Sequence, residues 1–224
     1  MGRDKALLEL AGRPLIEHAV LKLGRVCSDV RISGGNPLLK AYAPLITDVH
    51  PGSGPVGGME AALLGAKCEW NLFLPVDVPF LPTGYLHGWL HFMADADATD
   101  IAERRGARVM MWTVDQVPQP TVAVVHRDVG PFLTEAIERG EYKLRPVLEW
   151  AGKQVALRSG CEPDKGFLMM PYWSEINVRL RRGPAESWRS LTEAQRRFHE
   201  HWFDNLNTPE EFAEAERHVD ALDT

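Results

Sequence analysis

No stretch of this 224-residue chain approaches the roughly 20 consecutive apolar residues needed to span a bilayer. Its opening, Met1-Gly2-Arg3-Asp4-Lys5, leads into no signal-peptide pattern, so neither a membrane role nor a secretory leader is expected. Paired cysteines are missing too. Cys27, Cys68 and Cys161 lie far apart without CxxC spacing, which suits a reduced, cytoplasmic protein with small buried thiols. Basic charge is also short. Only 25 Lys and Arg face 31 Asp and Glu, a net charge of −6, whereas coating nucleic acid needs a basic face. Internal repeats and low-complexity tracts are absent, and no GxGxxG follows a strand-like run, which speaks against a dinucleotide-binding dehydrogenase.

What is present fits one α/β domain with a single sizeable core. The 45% apolar and 25% charged residues are in the proportions of ordinary globular chains. Leu15, Ile16, Ala19, Val20 and Leu23 share one face over Pro14 to Val26, the spacing of an amphipathic helix opened by proline. Val30-Arg31-Ile32 reads as a strand ending at Ser33-Gly34-Gly35, Leu38 to Tyr42 as a brief helix, and Leu45 to Val49 as a strand. Pro51 to Gly58 reads as a glycine-rich loop running into a helix from about Met59 to Lys67. The apolar run Asn71-Leu72-Phe73-Leu74-Pro75-Val76 breaks off at Asp77. Both its faces want burial, which suits a central strand covered by helices. Helices are expected over Leu86 to Met93 and Pro131 to Arg139, and strands over Val109 to Val114 and Thr121 to Val125.

This alternation implies a Rossmann-like, three-layer α/β/α fold with a mostly parallel sheet. In such sheets ligands bind beyond the carboxyl ends of the strands. From about 161 to 200 the pattern fails, and arginines crowd among Trp173, Trp188 and Trp202, so this segment reads as an insertion or lid within one domain. Thr208-Pro209-Glu210-Glu211 then forms a capping box that opens a last helix through about Ala221.

Four segments carry residues suited to chemistry and are expected to meet at one edge of the sheet. Gly2, Arg3 and Lys5 precede a helix, where a lysine can hold a triphosphate as a point charge; solvated terminal charge is the plainer alternative. Asp48 leads into Gly52, Gly54, Pro55, Gly57 and Gly58. There bare backbone can approach a ligand and the next helix offers its positive end, although a simple strand-to-helix turn has the same composition. Asp77, held between Pro75 and Pro79, is placed to bind Mg²⁺, which would neutralise charge as a diphosphate leaves; a turn or N-cap aspartate is the alternative. Asn205 and Asn207 precede the last helix and can bind a metal-bound or ribose oxygen, or merely cap. His87 and His91 are spaced i, i+4, but no glutamate follows His87 to make a zinc-protease motif.

Taken in order, these segments resemble the molybdenum cofactor guanylyltransferase family, within the wider group of sugar-phosphate-like nucleotidyltransferases. That family opens with a strand and the loop Leu-Ala-Gly-Gly-x-Ser-x-Arg-Met-Gly-x-Asp-Lys, whose end is similar to Met1-Gly2-Arg3-Asp4-Lys5-Ala6-Leu7-Leu8. Gly12-Arg13-Pro14-Leu15-Ile16 resembles the stretch after it. Asp48 with Gly54-Pro55-Val56-Gly57-Gly58 resembles the Asp…Gly-Pro-Leu-x-Gly that holds base and ribose. Leu74-Pro75-Val76-Asp77-Val78-Pro79 resembles the metal-binding Pro-Cys-Asp-x-Pro segment, and Asn205-Leu206-Asn207-Thr208-Pro209-Glu210 the closing Asn-x-Asn-Thr-Pro-Glu.

The resemblance implies magnesium-dependent transfer of GMP from GTP to molybdopterin (the molybdenum cofactor), with release of diphosphate. It assigns Gly2 and Lys5 to the phosphates, Asp77 to Mg²⁺, and Asp48, Gly54, Pro55 and Gly58 to the nucleoside. Asn205 and Asn207 would face the acceptor or metal, with Asn36 beside the nucleotide. The family's first strand and double glycine have no counterpart here. A start misplaced within Arg-Met-Gly is therefore expected, with upstream codons for a strand and Ala-Gly-Gly, and weak GTP binding by the 224-residue chain. The rival readings are a cytidylyltransferase of the same fold and a non-catalytic binding protein that lost the phosphate loop.

Overall fold

The structure is a computed structural model and describes residues 4–94, 106–172 and 190–223. Chain order gives strands β1 (Glu9–Leu10), β2 (Arg13–Pro14), β3 (Ile32–Ser33), β4 (Leu45–Ile46), β5 (Trp70–Phe73), β6 (Val109–Val114), β7 (Val117–His126) and β8 (Phe167–Tyr172). The α-helices are α1 (Leu15–Gly24), α2 (Gly54–Leu64), α3 (Thr83–Ala94), α4 (Gly130–Glu138), α5 (Leu144–Arg158), α6 (Glu193–Arg197) and α7 (Pro209–Ala215).

β6 shows why the sheet has two covered faces. Successive side chains alternate between faces, and both sets are apolar. Val109 and Met111 join the core formed with α2, α4 and α5, while Met110 and Trp112 join a second core with α3, Trp202 and Phe203. In β7, Ala123 and Val125 face the first core, Val122 and Val124 the second. The result is the three-layer α/β/α arrangement expected from the sequence. The strand order is β5-β7-β6-β8. β7 runs antiparallel to both β5 and β6, while β6 and β8 are parallel, so β5, β6 and β8 share one direction. Three of its four strands share one direction, but the reversed strand sits between two of them, so two of the three pairings are antiparallel where a mostly parallel sheet is expected.

That reversal comes from a hairpin. Val114 pairs with Val117, and the two residues between them, Asp115 and Gln116, have φ of 48° and 67°. Two positive φ values in a two-residue loop match the right-handed twist of the strands. Asp-Gln is not the usual sequence for such a turn, which is why two separate strands are expected where one hairpin forms.

β5 departs from its expected central place. Among the described strands it pairs with β7 alone, and all four of its residues are half-buried. Its other edge faces a cavity of about 570 Å³ lined by Val20, Leu23, Ile32, Leu72, Leu74 and Leu90. Beyond the cavity lies the separate parallel pair β3–β4. The expected loop over Pro51 to Gly58 is also shorter than its composition suggests, because α2 begins at Gly54. Proline is at home in a first turn, where its missing N–H has no partner to lose.

Candidate functional site

Asp4 starts the site. Its carboxylate accepts the N–H of Ala6 at 3.0 Å, folding Lys5–Leu7 into a tight turn, and the Asn36 amide donates to it at 2.6 Å. Asn36 in turn accepts the Leu38 N–H at 3.0 Å and starts the short helix Pro37–Ala41. These local bonds aim Lys5 across the molecule. Its ammonium donates to Asp77 Oδ2 at 2.6 Å and to Asn207 Oδ1 at 2.5 Å. Asp77 lies not at a strand end but in the turn beyond β5, where its carbonyl accepts the Leu206 N–H at 2.9 Å. Three of the four expected segments therefore meet.

Asn207 is held from behind. The Glu211 carboxylate accepts the N–H groups of Asn207 at 2.5 Å and Thr208 at 2.8 Å, completing the capping box of α7. Those two donors hold the Glu211 carboxyl below the ordinary range, because they favour its charged form. The Asn207 amide also donates to the Asn205 carbonyl at 3.3 Å, so Asn205 enters through its backbone.

The fourth segment is positioned differently. Gly54 and Pro55 are exposed at the start of α2, with Gly52 and Gly54 at φ of 87° and 60°. Gly58 is buried; a Cβ there would lie 2.4 Å from Ser33 Oγ, so the glycine lets α2 pack onto β3. Asp48 is half-buried ahead of the turn. No hydrogen bond among the described residues joins Asp48, Gly54, Pro55 or Gly58 to Lys5, Asp77 or Asn207. Gly2 lies outside the described residues, as does much of the segment expected to be an insertion or lid.

The donor set suits a hard cation. Asp77 Oδ2 and Asn207 Oδ1 are oxygens that converge on one positive charge, the Lys5 ammonium. Mg²⁺ takes oxygen ligands and is commonly held by one or two protein groups plus phosphates and water, rather than by an all-protein cage. No group of three or more His, Cys, Asp or Glu side chains able to hold a metal occurs among the described residues. His87 and His91 sit exposed on α3 with Nε2 atoms 3.0 Å apart. Burial pushes the Cys27 thiol up to about 11, but the expected buried thiols are not found: Cys27 and Cys161 are half-buried and Cys68 is exposed. No described helix is long and apolar enough to cross a membrane.

His50, Glu60 and Thr134 belong to none of the four segments expected from sequence, yet the structure joins them. Glu60 is fully buried in α2 and accepts hydrogen bonds from His50 and Thr134. A visible signal was its position, a lone charge within the apolar Val56–Leu64.

Comparison with known proteins adds independent findings. The MobA-like NTP transferase domain matches residues 1–156. A molybdenum cofactor guanylyltransferase of Serratia proteamaculans is 30% identical over 164 residues, 71% of this chain and 77% of its own length. One from Yersinia pseudotuberculosis is 29% identical over 81% of this chain and 90% of its own. Among solved structures, molybdopterin-guanine dinucleotide biosynthesis protein A of Archaeoglobus fulgidus has a similar fold (TM-score 0.66, 20% identity, covering 99% of this chain and 93% of its own). So does 2-C-methyl-D-erythritol 4-phosphate cytidylyltransferase of Thermus thermophilus (TM-score 0.54, 14% identity, covering 95% and 92%).

Proposed function

Because the chain belongs to the family of MobA-like NTP transferase domains, we propose that it transfers GMP from GTP to molybdopterin with Mg²⁺. The observation that carries this reading is the convergence of Lys5, Asp77 and Asn207 on one point from three distant segments. A terminal phosphate oxygen of molybdopterin attacks the α-phosphorus of GTP. The new P–O bond forms as the bond from the α-phosphorus to the bridging oxygen breaks, and diphosphate leaves with that electron pair.

Lys5 holds the phosphates as a point charge, and the sequence motif assigns Gly2 to them as well. Asp77 and Asn207 hold Mg²⁺, which when bound neutralises negative charge on the phosphates. Asp48, Gly54 and Pro55 face the nucleoside at the positive end of α2, where Gly58 allows close packing behind them. Asn36 steadies the Lys5 turn beside the nucleotide, and Asn205 lies on the acceptor side. Positioning and charge neutralisation supply most of the rate, as is general in phosphoryl chemistry.

Guanine offers an N1–H and an amine as donors beside a carbonyl acceptor, and the bare backbone around Gly54 can reach that edge. Each unpaired polar partner costs roughly 1–3 kcal/mol, so GTP should be preferred over CTP by at least about tenfold in kcat/KM. Diphosphate release from the two nucleotides in competition, with molybdopterin and Mg²⁺ present, measures this. Equal use or a CTP preference would return the chain to the cytidylyl reading, and nucleotide binding without turnover to the binding-protein reading.

A further inference from the structure

Glu60 is a carboxylate with 0% exposure, a placement that is costly unless every oxygen finds a partner. Both do. His50 Nδ1 lies 3.0 Å from Oε1 and 2.9 Å from Oε2, and Thr134 donates its hydroxyl to Oε1 at 2.5 Å. With Glu60 as a carboxylate, which has no hydrogen to give, Nδ1 of the half-buried His50 ring is the donor. Thr134 belongs to α4 and His50 to the turn ahead of α2. One buried group thus ties the glycine turn to two helices.

The backbone of that turn is pressed against the same helix. The Ser53 N–H donates to the His50 carbonyl at 3.3 Å. A Cβ on Gly57 would lie 2.9 Å from Ser53 Cβ and 3.2 Å from the His50 carbonyl oxygen, so the turn folds closely over the first turn of α2. Gly52 and Gly54 give it left-handed backbone and add no side chain that could anchor it, leaving the buried Ser53 and the half-buried His50. The His50–Glu60 bond supplies the anchor that the glycines cannot.

We propose that Glu60 is a positioning residue for nucleotide binding, fixing His50 and with it the turn 50–54 that presents backbone to the nucleoside. The inference rests on the nucleotide-binding reading of Gly54 and Pro55. Glu60 touches no reacting atom. Its effect reaches the nucleotide through the His50 ring and the conformation of the turn. Thr134 contributes to the burial of Glu60 but lies outside the tie to the turn.

The experiment compares wild type with Glu60→Ala, Glu60→Gln, His50→Ala and Thr134→Val by two readouts. One is amide hydrogen exchange over 49–57 without nucleotide; the other is equilibrium titration with GTP and Mg²⁺. Glu60→Ala and His50→Ala should each speed exchange over 49–57 and weaken GTP binding by about tenfold or more. Glu60→Gln keeps an acceptor oxygen for Nδ1–H and should stay within about threefold of wild type. Thr134→Val should lower Tm while leaving exchange and GTP affinity near wild type. His50→Ala reports on the same bond without emptying a buried site, should Glu60→Ala fail to fold.

Unchanged exchange in His50→Ala overturns the proposal, and so does faster exchange with unchanged GTP affinity. Equal loss of affinity in Thr134→Val overturns it as well, since Glu60 would then act only through global stability. If wild type itself binds no nucleotide, the nucleotide-binding reading fails, and this assignment falls with it.

Discussion

Asp77 shows what a single side chain can be asked to do. Its Oδ2 is bonded to the Lys5 ammonium at 2.6 Å and its carbonyl to the Leu206 N–H at 2.9 Å, so side chain and backbone serve different tasks. Asp77→Asn keeps the backbone bond and the size of the side chain but removes the charge. Guanylyl transfer should fall by a factor on the order of 10² or more, about 2.7 kcal/mol. Stability should change little, because the lost ion pair is partly solvated, at 31% and 21% side-chain exposure, and such pairs contribute about 1 kcal/mol or less. Steady-state kinetics over a Mg²⁺ range, beside a melting curve, separates the two effects. Near wild-type turnover with the same Mg²⁺ dependence would return Asp77 to the turn-residue reading. A large drop in Tm would instead make it a structural group.

Among the elements, α7 was the most legible from sequence, and its cap reaches the site. Thr208 and Glu211 form the reciprocal capping box that Thr-x-x-Glu announces, with Pro209 at the first helical position. The same Glu211 holds the N–H of Asn207, so the cap orients a residue proposed to hold Mg²⁺. The Glu211 carboxyl is lowered by these bonds, and a depressed carboxylate stabilises the fold above its unfolded pKa and loses that contribution as pH falls through its folded one. Glu211→Ala should therefore melt below wild type at pH 7. The gap should close as pH falls below the ordinary value of 4.5, and Mg²⁺-dependent GTP binding at pH 7 should weaken. Parallel melting curves from pH 7 to 3 check this; a gap independent of pH would remove the carboxylate from the account.

By contrast α5, at 15 residues, was missed. The span carries two poor helix formers, Pro146 and Gly152, yet Pro146 lies in the first turn, where proline is tolerated. Gly152 is required by contact, because a Cβ there would lie 2.6 Å from the Gly166 carbonyl oxygen. A tertiary contact selected residues that local propensity reads as breakers.

Across the whole molecule, the site was legible wherever it rests on residues that need charge or backbone freedom. It was illegible where the partner lies far along the chain. Lys5 and Asp77 stand out singly, but their meeting depends on a separation of 72 positions along the chain. Glu60 stands out as a lone charge in an apolar helix, but its partners, His50 and Thr134, come from different elements and are not legible. The same holds for Lys22, which one turn of an amphipathic helix would place in solvent.

Lys22 is instead 1% exposed, donates to the Pro79 and Leu81 carbonyls at 2.5 Å each, and faces Asp223 Oδ1 at 3.6 Å. Asp223 also accepts the Thr83 N–H at 2.6 Å, so one carboxylate near the end of the described chain joins α1 to the start of α3. Burial lowers the Lys22 pKa to about 8, while Asp223 opposes the shift. Below pH 8 the ammonium is charged in both folded and unfolded chains, and its burial cost is fully felt. Between pH 8 and the ordinary 10.5 the unfolded chain binds the extra proton, so the contribution of Lys22 to stability rises with pH.

Asp223→Asn removes the counter-charge but retains an oxygen for the Thr83 N–H. At pH 7 it should destabilise by about 1–2 kcal/mol, a few degrees in Tm for a chain of this size. The deficit should narrow as pH rises toward about 8 and vanish above it, where Lys22 is neutral in the folded state of both proteins and needs no counter-charge. Calorimetric Tm values of both proteins from pH 6 to 10 decide the matter. A deficit that stays constant over that range would assign the role of Asp223 to the Thr83 bond and leave Lys22 held by its two carbonyls alone.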